Sequence, residues 1–238
     1  MMTPKLHTSI LDALARHALL RHFAVEDVHA MVAQAAVHMF AERQALFEQG
    51  ESGRTVLVVI QGYVKLSATT PSGREVVFDV VGPNDLFGEL AVLTDQPRAA
   101  TATALSPGSL LAIEGRSFRA ALARAPEAMF WIIRLLGRRL NRATEQMTDG
   151  LDLPAPGRVA KALLQLAALH SRPVAEGLEI SLSLSQRELG GMTGLLRESI
   201  NKHLGLWRDS GWLSLTGRTI TLHDVAALRA LLREFEAG

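Results

Sequence analysis

Across residues 40–113 the apolar side chains fall in short runs, each closed by a turn signal, and no other pattern in the chain limits its fold as much. Val56-Leu57-Val58-Val59-Ile60 ends at Gln61-Gly62, Tyr63-Val64-Lys65-Leu66 runs on to Thr70-Pro71-Ser72-Gly73, and residues 75–81 end at Gly82-Pro83-Asn84-Asp85. Such β-branched runs, punctuated by Gly, Pro and Asn, predict antiparallel strands closed into a jelly-roll-like roll or barrel. Residues 101–104 and 110–113 complete the series. On both sides the period becomes helical. Ile10, Leu11, Leu14 and Ala18, then Val25, Val28, Val32 and Ala36, predict two short amphipathic helices over residues 9–37. The class is therefore α+β. His17, His22, His29 and His38 are scattered over both helical segments with no carboxylate at ligand spacing, and read as solvated or locally hydrogen-bonded.

One stretch interrupts the strands. Residues 87–103 read FGELAVLTDQPRAATAT. Gly88 lets backbone approach a ligand, Glu89 is an acceptor, and Leu90-Ala91-Val92-Leu93 can form one helical turn with N–H groups at its start. Arg98 follows Pro97, and the small Ala99 and Ala100 leave room beside the guanidinium. A helix start with one arginine suits a single phosphate, and Glu89 suits sugar hydroxyls. The plain alternative is a surface turn with a weak, exposed Glu89–Arg98 pair.

Phe-Gly-Glu-Leu-Ala followed by Pro-Arg-Ala-Ala-Thr resembles the phosphate-binding cassette of cyclic-nucleotide-binding domains. The Arg-Ala-Ala-Thr form is similar to the cyclic-AMP sites of the kinase regulatory subunits. The resemblance implies cyclic AMP as effector, rather than cyclic GMP, bound by Gly88, Glu89, Leu90, Arg98 and Ala99. In bacterial cyclic-AMP receptor proteins Ser usually follows the arginine, so Ala99 is a departure.

After a short helix over residues 117–125, Pro126 opens a long helix expected to run to about Thr148. Ile133, Leu136, Leu140, Ala143 and Met147 recur at threes and fours, which is the seam of a two-stranded coiled coil, flanked by Arg134, Arg138, Arg139, Arg142 and Glu145. A homodimer follows, unless the stripe packs on the chain's own roll. Thr144 lies beside the seam, where the resemblance places a hydroxyl against the bound adenine; the family's usual Thr-Ser is here Ala143-Thr144. Leu151 to Gly157 reads as the break between domains, stiffened by Pro154 and Pro156.

Beyond it, Val159, Leu163, Leu166 and Leu169 mark an amphipathic helix and Leu178 to Leu182 a short strand. Ser185 with Glu188 three residues on is a capping box for a helix ending near Met192. Thr193-Gly194 then turns into a second helix from about Leu196 to Asp209, with small Gly190 at the crossing: a helix-turn-helix. Arg197, Glu198, Asn201 and Lys202 face outward and Ile200 and Leu204 inward. Residues 211–222 form a hairpin, the wing of a winged helix, with Arg218 at its tip placed for a phosphate.

This half resembles the DNA-binding domain of the cyclic-AMP receptor and fumarate–nitrate regulator superfamily, and the resemblance covers nearly the whole chain. It implies double-stranded DNA as partner, read by Arg197 at a guanine and Glu198 at a cytosine, with Ser199, Lys202 and Arg218 beside them, on a TGTGA-like half-site. Lys202 stands where the receptor has arginine, and Leu196 replaces the usual Ser or Thr. The expected organisation is a cyclic-nucleotide-binding roll over residues 1–125, a dimerisation helix and hinge over 126–152, and a winged helix over 153–238.

A net charge of +1 gives no whole-molecule attraction to polyanions, so DNA contact must come from local basic residues. With no cysteine, a thiolate metal or cluster site is excluded, and no metal or haem is expected. The first twenty residues read neither as a signal peptide nor as a membrane span, so a cytoplasmic protein is expected, with RNA polymerase a further partner. No nucleophile–base pair or Walker loop suggests an enzyme. Two readings remain beside the first: a regulator of the same fold answering cyclic GMP, cyclic di-GMP or no ligand, and an interaction module without DNA contact.

Overall fold

The computed structural model describes residues 17–236. Its contacts divide the chain into two compact units, one comprising residues up to Ala68 with Asp79–Leu140, the other Thr69–Phe78 with residues from Asn141 onward. The first amphipathic helix expected from Ile10, Leu11 and Leu14 lies outside the described residues.

The first unit is built on two four-stranded sheets, ordered β1-β8-β3-β6 and β2-β7-β4-β5. The strands are β1 (Ala36–Phe40), β2 (Ala45–Phe47), β3 (Thr55–Gln61), β4 (Val64–Thr69), β5 (Glu75–Val81), β6 (Leu86–Phe87), β7 (Thr101–Ala104) and β8 (Gly108–Glu114). The start of β5 groups with the second unit. Strand β3 explains why its sequence is a continuous apolar run rather than an alternating one. Both of its faces are covered. Val56 and Val58 join a cluster with Leu111 and Ile113 of β8 and with Leu19, Phe23, Met31 and Phe118 from flanking helical segments, while Leu57 and Val59 are buried on the opposite side. Those segments are a 3-10 turn (Leu20–His22), α1 (Val25–Ala33) and α3 (Gly115–Leu122). Helix α2 (Glu89–Thr94) interrupts the strand order between β6 and β7.

The helical period over residues 9–37 therefore overran the end of α1 at Ala33 by four residues, two of them in a strand. Ala36 and Val37 begin β1, which pairs antiparallel with β8 from Ala36↔Ala112 to Phe40↔Gly108. Pairing with a neighbouring strand outweighs a period carried by two small side chains.

The long helix α4 (Pro126–Asp152) is 27 residues, about 40 Å, and outruns the expected end at Thr148. Helix α5 (Ala155–His170) starts so soon afterward that only Leu153 and Pro154 are non-helical. Proline at a first helical turn lacks only an N–H that would have no partner there, so Pro156 opens α5 instead of lengthening the break.

The second unit carries a four-stranded sheet ordered β11-β12-β10-β9, with β9 (Ser171–Val174), β10 (Gly177–Ile180), β11 (Leu213–Thr216) and β12 (Thr219–Leu222). Strand β9 was not anticipated, because Arg172-Pro173 argues against a central strand. It lies at the sheet edge, where proline costs no ladder bond. Helices α6 (Gln186–Thr193), α7 (Arg197–Asp209) and α8 (Val225–Glu236) complete the unit, around a core that includes Val159, Leu163, Leu189, Ile200, Leu204, Trp207, Ile220 and Leu228. No helix among the described residues is long and apolar enough to cross a membrane.

His17 is locally hydrogen-bonded, as its sequence context suggests, but it is buried. Its Nδ1 accepts the Leu19 N–H at 3.1 Å and its ring lies 5.7 Å from that of Trp131. Burial pushes its pKa down to about 4, against a partial opposing pull from the Asn84 backbone. A folded pKa below the unfolded one means that acid favours the unfolded chain, first below pH about 6.5 and fully below about 4. In His17→Leu, the stability lost between those pH values should shrink by up to about 3 kcal/mol, read from denaturant titrations at several pH values. Identical losses in both proteins would show that the ring is not held neutral.

Candidate functional site

Around Arg98 the first unit gathers Gly88, Glu89, Leu90 and Ala99. Gly88 caps α2 in the left-handed conformation, φ 75°, which only glycine adopts without strain, and the helix start has no side-chain cap. Arg98 is only 6% exposed. Its Nη1 donates to the Gly88 carbonyl at 2.7 Å, its Nη2 to the Thr55 carbonyl at 2.9 Å and Thr55 Oγ1 at 3.2 Å, and its Cζ sits 4.2 Å above the centre of the Phe47 ring. No carboxylate lies within salt-bridge distance of it among the described residues. Burial lowers its pKa, opposed by the more distant charges of Glu89 and Glu51. A buried cation bonded only to neutral acceptors keeps the capacity to attract an anion.

The surface Glu89–Arg98 pair is thus not what the chain forms. Glu89 is 1% exposed, and its Oε1 accepts from Arg139 Nη1 at 2.7 Å. Its Oε2 is buried with no hydrogen-bond partner. Arg139 also donates from Nε to Asp79 Oδ2 at 3.1 Å and from Nη2 to the Leu86 carbonyl at 2.8 Å. Burial alone would lower its pKa, but the charges of Glu89 and Asp79, with their hydrogen bonds, outweigh that and raise it. Sequence reading put Arg139 among the charges flanking the seam. Only spatial proximity reveals its inward turn, since Glu89 stands fifty residues earlier.

Gly53 was also missed. A Cβ there would lie 2.4 Å from Ala91 Cβ and 2.8 Å from Arg98 Nε, and one on Gly88 would lie 2.5 Å from Arg98 Nη1. The two glycines make the slot in which the guanidinium lies. The loop holding Gly53 is tied to the arginine's own backbone, Arg98 N–H donating to Glu51 O at 2.8 Å and Gly50 N–H to Arg98 O at 2.9 Å. Leu90 and Ala99 are exposed beside this slot.

Along α4 the exposed stripe differs in register from the expected seam. Ile133, Leu140 and Met147, seven apart, are 55%, 68% and 73% exposed. Leu136 instead packs partly on the first unit's core and Ala143 is half-buried. Phe130, Gly137, Thr144 and Leu151 are exposed and interleave with the first three at alternating steps of three and four. Thr144 is thus on the stripe rather than next to it, in the part of α4 that groups with the second unit.

In the second unit, Ser185 and Glu188 form the capping box of α6, with Gly194 closing the helix in the left-handed conformation, φ 68°. A Cβ on Gly190 would lie 2.7 Å from the Leu195 carbonyl, so the close passage between α6 and α7 requires glycine. On α7, Ile200 and Leu204 are buried while Arg197, Glu198, Asn201 and Lys202 are exposed and Ser199 is half-exposed. Arg197 Nε donates to Gln186 Oε1 at 3.3 Å, and Arg218 Nη2 donates to Glu188 Oε2 at 3.0 Å. The wing arginine is therefore engaged with the first turn of α6.

Residues 37–125 match the cyclic nucleotide-binding domain model and residues 157–231 the Crp-like helix-turn-helix domain model. A CRP-like cAMP-activated global transcriptional regulator of Mycobacterium tuberculosis is 31% identical over 213 residues, 90% of this chain and 95% of the relative. The chain belongs to the CRP/FNR superfamily. A cyclic AMP receptor protein of Thermus thermophilus is 28% identical over 90% of this chain and 95% of its own length. Among solved structures, a CRP-family transcriptional regulator from Thermus thermophilus superposes with TM-score 0.69 at 27% identity, covering 82% of this chain and 96% of that one. As a CRP/FNR protein, the chain is a DNA-binding transcription regulator with a cyclic-nucleotide-binding domain. Among the described residues no three His, Cys, Asp or Glu side chains stand together as a metal set.

Gly53→Val should displace the Arg98 guanidinium and weaken cyclic-nucleotide binding about ten- to a hundredfold, the equivalent of one charge-assisted hydrogen bond. Calorimetry against a variant with unchanged circular dichroism checks this; undiminished affinity would mean that the slot does not hold the ligand.

Proposed function

We propose that the chain is a homodimeric, cyclic-AMP-responsive regulator that binds a palindromic operator with TGTGA-like half-sites. The observation that carries the reading is a pair of unmet needs within one short segment, residues 89–98: a buried guanidinium without an anion and a buried carboxylate oxygen without a donor. A phosphate monoanion bearing a free sugar hydroxyl meets both. Arg98 would hold the phosphate, Glu89 the hydroxyl, the backbone at Gly88, Leu90 and Ala99 would line the phosphate, and Thr144 would contact the base. Relatives at 26–31% identity named as cAMP-activated regulators support cyclic AMP as the effector.

The exposed stripe on α4 supports a parallel pairing of two copies through that helix. Arg139 lies on the same helix, between Arg138 and Leu140, and is bonded to Glu89. A sugar hydroxyl that bonds Glu89 changes the charge balance on Arg139, and so biases the position of α4. To move a regulator from mostly off to mostly on, the ligand must favour the DNA-competent state by roughly 5 kcal/mol. On DNA, Arg197 would read guanine and Glu198 cytosine, with Lys202 in the place of a third base reader, Ser199 beside them and Arg218 at a phosphate, one α7 in each of two successive major grooves. The setting would be the cytoplasm, with RNA polymerase as a further partner and no catalytic step.

A second reading, another effector, is favoured by Ala143, where the resemblance implies a hydroxyl and this chain has a methyl group. A solved c-di-GMP-responsive regulator of Xanthomonas campestris shares the fold at 23% identity, which supports the architecture and not the ligand.

Calorimetry with cyclic AMP, cyclic GMP and cyclic di-GMP separates the readings, and heat with cyclic AMP is expected to dominate. A gel shift on a TGTGA palindrome at fixed salt should then tighten when cyclic AMP is added. No heat with cyclic AMP, and a shift indifferent to it, would remove the first reading.

A further inference from the structure

Leu196 stands at the N-cap of α7, the position where Ser, Thr, Asp and Asn are preferred and leucine is among the poorest choices. It makes no side-chain cap, yet its backbone is fixed, its carbonyl accepting from the N–H groups of Ser199 at 3.0 Å and Ile200 at 3.2 Å. The side chain is 61% exposed and so adds little to the unit's own core. A single exposed leucine on an arbitrary surface would mean nothing. This one directly precedes Arg197, and Arg197 has a defined course, because its Nε donates to Gln186 Oε1 on the neighbouring helix. Residues at the start of a recognition helix are the ones that reach base edges. The neighbours Arg197, Glu198, Asn201 and Lys202 are all polar and exposed, so Leu196 is the apolar member of an otherwise hydrogen-bonding face.

We propose that Leu196 is a base-specificity residue which reads the 5-methyl group of a thymine next to the base contacted by Arg197. The inference rests on the reading of α7 as the helix that enters the major groove. Thymine is the one base that offers an apolar group there, and an aliphatic side chain is its fitting partner. In place of the phosphate contact and cap that a hydroxyl at this position would supply, the chain would gain a preference between bases. Leucine and alanine are similarly poor N-caps, so Leu196→Ala changes the apolar reach and leaves the capping nearly as it was.

The test uses the full chain and a duplex recovered by that chain from a random pool, so it does not presuppose the operator. Each thymine is replaced singly by uracil, which removes the methyl group and nothing else, and affinities are measured at one salt concentration. Native protein should lose about three- to fivefold at one thymine per half-site, as expected for one methyl group returned to water. In Leu196→Ala that loss should vanish, while Arg197→Ala should retain it and relax a neighbouring guanine instead. If Leu196→Ala keeps the full uracil penalty, or no thymine methyl matters to the native protein, the proposal is overturned. If Arg197→Ala leaves every base preference unchanged, the major-groove reading of α7 fails, and the proposal with it; a relaxed guanine with an unaltered uracil scan sinks the Leu196 assignment alone.

Discussion

The arrangement around Arg98 depends on keeping a positive charge out of water without a negative partner in contact. Burying a guanidinium is costly, and the carbonyls of Gly88 and Thr55 with the face of Phe47 offset that cost only in part. Everything nearby serves the arrangement. Two glycines leave the slot open, the 50–51 loop pins the arginine's backbone, and Glu89, which could have neutralised the charge, is held by Arg139 instead. On the reading proposed above, an anion at Arg98 would relieve that imbalance.

The same network ties the cassette to the long helix. Arg139 belongs to α4, and its three acceptors, Glu89, Asp79 and the Leu86 carbonyl, come from the cassette and the strands before it. On the proposed reading, a ligand at Glu89 and a second copy against the exposed stripe would both act on this one helix, which would join two equilibria in a single rigid element. With only Leu153 and Pro154 between α4 and α5, little backbone is available to absorb a rotation of the long helix.

Much of this was legible in the sequence, for identifiable reasons. Strands β3 to β5 announce themselves by apolar runs ending at Gly, Pro and Asn, the capping box at Ser185 and Glu188 fixes the start of α6, and the α6–α7 turn is written in Gly190 and Gly194. The order of residues from Gly88 to Arg98 pointed to the segment in which the buried arginine and glutamate are found. What escaped was whatever depends on distant partners. Arg139 has the same local sequence context as Arg138, and no periodicity tells which of them turns inward. Gly53 lies forty-five residues before the arginine it accommodates. Spacing alone also misplaced the α4 stripe, because Leu136 and Leu140 are equally apolar and only the packing of the roll selects which is covered. Strand β9 escaped because Arg172-Pro173 carries no strand signal and forms one only at a sheet edge, and the break was read as longer than two residues because Pro156 was counted in it where a helix start tolerates proline.

The central claim is that Arg98 waits for a negative charge, and not merely for a nucleoside. Calorimetry comparing cyclic AMP with its uncharged methyl phosphotriester tests that directly, since the base and sugar are the same and the charge is gone. The account predicts that the triester binds at least about a hundredfold more weakly, the equivalent of two charge-assisted hydrogen bonds. Equal affinity for the two compounds would contradict it.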